Sequence, residues 1–178
     1  MKRLVMLLLV MLFTSPAAYA QVQQPQLSRD SLPYMKYPAM PAFNIRLLDS
    51  FTVFNTFNIP KGKPTLLALF DPDCKHCQMV IKELVAGIDS ISNIDIYWFT
   101  LSAKVGPLQE FYKEYHFADY KNIKVIGRDY EFFFLDYFGV NSYPDFALYD
   151  ENKKFVHLFQ GRVTVKELYE LTHKEVKH

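Results

Sequence analysis

The sequence predicts an α/β fold in a single domain, on three observations. An unbroken apolar run, Leu66-Leu67-Ala68-Leu69-Phe70, reads as a buried strand. The segment that leaves it repeats Cys77, Ile81, Leu84, Ile88 and Ile91 at helical spacing. Further along, strand-like runs and amphipathic helical runs both recur, with no internal repeat and no second domain.

From the N-terminus, Lys2 and Arg3 precede ten apolar residues, Leu4 to Phe13. Thr14-Ser15-Pro16 breaks the run, and Ala18-Tyr19-Ala20 fits the small-x-small rule of a cleavage site. Residues 1–20 are therefore expected to be a signal peptide, cleaved after Ala20. A bilayer-spanning helix needs about 20 apolar residues, roughly twice this run. No cysteine follows the run to carry a lipid. Residues 21–40, polar and holding Pro25, Pro33 and Pro38, are expected to form an extended or flexible lead. The folded domain is expected over 41–178.

Within the domain, Phe43–Leu48 and Phe51–Phe54 flank Asp49-Ser50 and predict a β-hairpin. Asn55 to Ile59 predicts a short helical turn, and Lys61-Gly62-Lys63-Pro64 a loop before the central strand. A helix is expected over Cys74–Ser92 and a second buried strand over Asp95–Leu101. Leu108, Phe111, Tyr112 and Tyr115 predict a helix over Gly106–His116. Ile123–Ile126 is a short strand or extended link. Tyr130, Phe133, Phe134, Tyr137 and Phe138 follow helical spacing up to Gly139, and this aromatic stripe reads as core packing. Phe146–Tyr149 and Phe155–Phe159 form a second hairpin around residues 150–154. Thr164 and Glu167 carry the capping-box pattern that starts a last helix.

Composition excludes several function classes. The 178 residues carry a net charge of +1, and losing Lys2 and Arg3 leaves 18 basic residues against 19 acidic ones, a charge of −1. No basic excess remains to hold a phosphate backbone, so nucleic acid is not an expected partner. No later apolar stretch is long enough to span a membrane. The 16 Phe and 12 Tyr argue for a dense folded core.

Both cysteines, Cys74 and Cys77, lie in the stretch Phe70-Asp71-Pro72-Asp73-Cys74-Lys75-His76-Cys77, at the turn from strand to helix. Free backbone N–H groups and the positive end of the helix dipole favour negative charge there. A thiolate is such a charge, and it is the nucleophilic form of cysteine. A disulfide with two intervening residues constrains little of the unfolded chain, which favours redox chemistry over a purely structural bridge. Cys74, nearer the helix N-terminus, is the expected nucleophile, and Cys77 the residue that resolves a mixed disulfide. Zinc is the competing use of these thiols. It needs four ligands, and only His76, His116, His157 and His173 could join, without a second ligand pair at motif spacing. No metal and no cofactor is expected.

These residues together resemble the thioredoxin superfamily from about Pro41 to the C-terminus, and in particular exported bacterial oxidoreductases of the TlpA/ResA type. Lys61-Gly62-Lys63-Pro64 resembles that family's approach to the first strand, Cys74-Lys75-His76-Cys77 its C-x-x-C, and Gly139-Val140-Asn141-Ser142-Tyr143-Pro144 the segment ending in its cis-proline. The resemblance implies a thioredoxin-like α/β fold, with a central mixed β-sheet flanked by helices and the first hairpin as an N-terminal extension. It also implies dithiol–disulfide exchange with cysteines of other exported proteins and with a redox partner. Tyr143 and Pro144 would line the substrate groove. His76 resembles the histidine of strongly oxidising C-P-H-C members; with Lys75 it would favour the thiolate, while Asp71 and Asp73 oppose it. The chain departs from the family at Asp73, where members carry Trp, and at Ala68, where thioredoxin has a buried Asp. The peroxiredoxin motif P-x-x-x-T-x-x-C is missing. A non-catalytic thioredoxin-fold binding module, with Cys74–Cys77 as a structural disulfide, is the alternative function.

Overall fold

The structure, a computed structural model, describes residues 32–140 and 142–173. The expected signal peptide and most of the expected lead lie outside the described residues, as does Asn141.

Among the described residues seven strands form one mixed sheet: β1 Asn44–Leu47, β2 Val53–Asn55, β3 Thr65–Leu69, β4 Asp95–Thr100, β5 Ile123–Arg128, β6 Asp145–Tyr149 and β7 Phe155–Gln160. Their order is β2-β1-β5-β4-β3-β6-β7. β3, β4 and β5 run parallel; β1 and β6 join this parallel core antiparallel, each followed by its hairpin partner. The short strand or extended link expected at Ile123–Ile126 is a strand, running on to Arg128, and it ties the N-terminal hairpin to the sheet. β3 and β4 are buried along their whole length, which is why they read as continuous apolar runs.

Among the described residues five helices flank the sheet: α1 Pro33–Lys36, α2 Lys75–Ala86, α3 Val105–Glu114, α4 Phe133–Phe138 and α5 Val165–Thr172. Alternation along β3 divides the core. Leu66, Ala68 and Phe70 face one layer with Cys77, Val80, Leu84, Phe111 and Leu168, the inward residues of α2, α3 and α5. Leu67 and Leu69 face the other layer with Tyr34 of α1 and Phe134 and Phe138 of α4. Trp98 of β4 is 1 % exposed and meets Phe70 edge-on at 5.7 Å, directly under the cysteine turn. Burying each such side chain contributes roughly 1.5–3 kcal/mol.

Three expectations are corrected. Leu32–Met40 is not a loose lead: Tyr34 packs on Phe138 and Phe155 at 5.4 and 5.1 Å. Met40 N–H donates to the Lys153 carbonyl at 2.9 Å, and Ala39 bridges Lys154. The helix expected over Cys74–Ser92 ends at Ala86, and a 3-10 turn, Ile88–Ile91, follows Gly87. A Cβ on Gly87 would sit 2.8 Å from Val165 Cγ2, so α5 crosses there against bare backbone. Finally, α4 starts at Phe133 rather than Tyr130, because the buried Asp129 carboxylate accepts the N–H groups of Glu131, Phe133 and Phe134. Tyr130 is left beneath the Arg46 guanidinium, 4.5 Å from its ring centre.

Candidate functional site

The site is the junction of β3 and α2. Phe70 N–H still donates to the Phe99 carbonyl of β4 at 3.0 Å, so the sheet holds the chain up to the turn. Asp71-Pro72-Asp73 then reverses it. The Asp71 carboxylate accepts Asp73 N–H at 2.9 Å, an Asx turn. The Asp71 carbonyl accepts Cys74 N–H at 3.1 Å, and the Gln78 side-chain amide donates to the Pro72 carbonyl at 2.7 Å.

Cys74 is the N-cap of α2, with extended backbone, and its Sγ accepts Cys77 N–H at 3.3 Å. The sulfur stands where a capping hydroxyl or carboxylate usually stands. Both cysteines are free thiols; Cys74 is partly exposed and Cys77 fully buried. Burial pushes the Cys77 thiol up to about 12, and a hydrogen bond to Cys74 and the charges of Cys74 and Asp71 add to that rise. The Asp71 backbone N–H pulls the other way.

Facing the turn is the start of β6. The Tyr143–Pro144 peptide bond is cis. Tyr143 is half-buried; burial raises its phenol, and the charges of Asp71 and Cys77 raise it further. Asp71, Cys77 and Tyr143 therefore feel one another, while Asp73 and Lys75 point to solvent. His76 is also exposed, and its ring Nε2 lies 2.7 Å from the Gly161 carbonyl, so that nitrogen carries the hydrogen. The Gly161 N–H donates to the Pro144 carbonyl at 2.8 Å and to Asp145 Oδ1 at 2.9 Å. Burial pushes the Asp145 carboxyl up to about 6 against the pull of that bond. Sequence reasoning missed Asp145 and Gly161; the available signal was an aspartate opening the otherwise apolar run 146–149.

The other described histidines lie elsewhere: His116 follows α3, His157 stands on β7 against Phe159, and His173 stacks on Tyr169 after α5. Among the described residues no group of three or more His, Cys, Asp or Glu side chains is placed to hold a metal ion. A cleft of about 320 Å³ between Leu47, Tyr112, Phe117 and Ile126 is not lined by either cysteine. Cys74 stands partly exposed at the turn, with Cys77 buried behind it.

Solved structures share this architecture. A secreted Mycobacterium tuberculosis disulfide oxidoreductase homologous to E. coli DsbE superposes with TM-score 0.58 at 18 % identity, over 72 % of this chain and 92 % of its own. A thioredoxin-family thiol:disulfide interchange protein from Chlorobium tepidum gives 0.60 at 13 % identity, over 75 % and 92 %. StoA from Bacillus subtilis gives 0.52 at 18 %, over 75 % and 98 %. The fold is thioredoxin-like. No protein-family model matches the sequence, and no match is found among curated proteins. Within this thioredoxin-like fold, Ala68 is fully buried on the α2 side of β3 among apolar neighbours. The carboxylate whose charge reaches Cys77 is instead Asp71, in the turn above. Among the described residues no helix is long and apolar enough to cross a membrane.

Proposed function

We propose that this chain is an exported thiol–disulfide oxidoreductase, with Cys74 as nucleophile and Cys77 as resolving thiol. The observation that carries this reading is the pair's geometry: a partly exposed sulfur accepting a helix N-terminal N–H, with a buried thiol one turn behind it. The published descriptions of the M. tuberculosis and C. tepidum structures as disulfide oxidoreductase and interchange protein support it.

In the reducing direction, the Cys74 thiolate attacks one sulfur of a partner disulfide. A Cys74–partner bond forms, the partner's S–S bond breaks, and its departing thiolate takes up a proton. Cys77 then attacks Cys74 Sγ, the mixed disulfide breaks, and the second partner thiolate takes up a proton. Two electrons pass to the partner as Cys74–Cys77 becomes a disulfide; the oxidising direction is the reverse. Cys77 must lose its proton to attack, and burial makes that proton hard to remove. In this reading Asp71 receives it. Tyr143 and Pro144 border the thiols where an extended partner segment docks, and Lys75, His76 and Asp73 set the local charge.

A Cys77→Ser chain, exported in a bacterial host, is expected to accumulate partners disulfide-linked through Cys74 on non-reducing gels; no adducts would contradict the proposal. The competing reading, a binding module stapled by its disulfide, draws on buried Ala68 and exposed Asp73. It requires a Cys74→Ser, Cys77→Ser chain to bind its partner with unchanged Kd, and loss of binding excludes it.

A further inference from the structure

Asp145 is a carboxylate in an environment that gives it little support. It follows Pro144 directly, opens β6 and is fully buried. In register it lies opposite Leu69 of β3 and Gln160 of β7. That places it on the same side of the sheet as Leu69 and Ala147, the side away from α2. Its Oδ1 accepts the Gly161 N–H at 2.9 Å, and its Oδ2 is buried without a hydrogen-bond partner. A buried carboxylate oxygen left unpaired is costly, and a threonine or an apolar residue would avoid the cost.

What the carboxylate holds is Gly161. That residue has φ +75°, a conformation side-chain-bearing residues rarely adopt. In it, the N–H points to Asp145 and to the Pro144 carbonyl, while the Gly161 carbonyl points to His76 Nε2 at 2.7 Å. Asp145, Gly161 and His76 thus form a strut from the segment beside Pro144 to the first turn of α2. Eighty-five residues separate His76 from its acceptor. Nothing local to the C-x-x-C would hold the ring there.

From this geometry we infer that Asp145 is a positioning residue for the redox centre, holding Gly161 so that His76 stays docked on its carbonyl at the first turn of α2. The inference rests on the oxidoreductase reading. Held at the first turn of α2, two residues from Cys74, the imidazole adds positive charge to that helix start when protonated, which favours the dithiol over the disulfide. With the strut removed, His76 swings to solvent and the dithiol loses that support.

The test uses the full chain and glutathione buffers, with Asp145→Ala and Asp145→Asn, each alone and combined with His76→Ala. Asp145→Ala is expected to shift the equilibrium about tenfold towards the Cys74–Cys77 disulfide, about 30 mV for a two-electron couple. The asparagine oxygen can still accept the Gly161 N–H, so Asp145→Asn is expected to undo most of that shift. On the His76→Ala background, Asp145→Ala is expected to add nothing. A shift below about twofold, or an equal shift with and without His76, would overturn the inference. Should Asp145→Ala not fold, imidazole nitrogen spectra of the unmodified and Asp145→Asn chains decide: both are expected to show His76 as the Nε2–H tautomer. An Nδ1–H or averaged ring in the unmodified chain overturns the strut. These spectra need no exchange chemistry. A chain that never equilibrates with glutathione contradicts the oxidoreductase reading, while its His76 spectrum still judges the strut.

Discussion

Helices α2 and α5 begin with the same backbone problem and solve it with different chemistry. At α5, Thr164 Oγ accepts Glu167 N–H at 3.2 Å, and the Glu167 carboxylate returns to Thr164 N–H at 2.9 Å. Two otherwise unpaired donors are closed into a capping box. At α2 the same two positions hold Cys74 and Cys77. The cap acceptor is Cys74 Sγ, at 3.3 Å from Cys77 N. Cys77, a buried thiol pushed up to about 12, makes no return bond, and the Asp71 carbonyl takes the Cys74 N–H instead. At both ends the N–H groups of the cap residue and of the residue three on are covered. At α5 the result is a closed start; at α2 it is an acceptor that, in the proposed reading, is also the nucleophile. The C-x-x-C start is half of a capping box: a thiol replaces the hydroxyl as cap acceptor, and the reciprocal side-chain bond is absent.

The largest expected effect follows from restoring the hydroxyl. Cys74→Ser should reduce exchange with a model disulfide to the uncatalysed rate, while urea unfolding shows stability unchanged or raised by about 0.5–1 kcal/mol, since Ser is a preferred N-cap. A stability loss would mean the sulfur is not acting as a cap. Next is Asp71→Asn, expected to slow resolution of the Cys74 mixed disulfide about 10²-fold, the scale of one general base. Stopped-flow decay of a preformed mixed disulfide measures it, and an unchanged decay would release Asp71 from that role.

Asp145 tests how far the start of α2 depends on distant support. An unfolded aspartate titrates near 3.8, the folded one near 6. Between those values the folded state keeps a proton that the unfolded chain has released. Stability from this group is therefore highest at low pH and is lost as pH rises through about 6, by about 3 kcal/mol for a shift of this size. Unfolding of the Asp145→Asn chain at pH 4, 5.5 and 7 should lack this component of the slope. The smallest effect belongs to the inert helix: Thr164→Ala should cost about 1 kcal/mol in thermal unfolding and leave exchange rates alone.

The features legible in the sequence are those closed within a few residues. The cysteine turn, the Thr164–Glu167 box and both hairpins each depend on groups no more than about fifteen positions apart. What was not legible depends on contacts across the chain. The end of α2 is set where Gly87 meets Val165. The start of α4 depends on Asp129, which reads as loop polarity until its carboxylate is seen collecting three N–H groups. Pro33–Lys36 folds only because Phe138 and Phe155 receive Tyr34. The sequence brings Cys74, Lys75, His76 and Cys77 together by adjacency, but the partner of His76 waits on the second hairpin.

The most direct test of the α2 start is a competition between its two thiols. The reduced protein would be treated at pH 7 with a limiting dose of iodoacetamide, and the labelled cysteine read by peptide mass spectrometry. Label almost entirely on Cys74, with Cys77 modified only after unfolding, is the expected result. Equal labelling of the two, or preference for Cys77, would contradict a capping nucleophile backed by a buried resolving thiol.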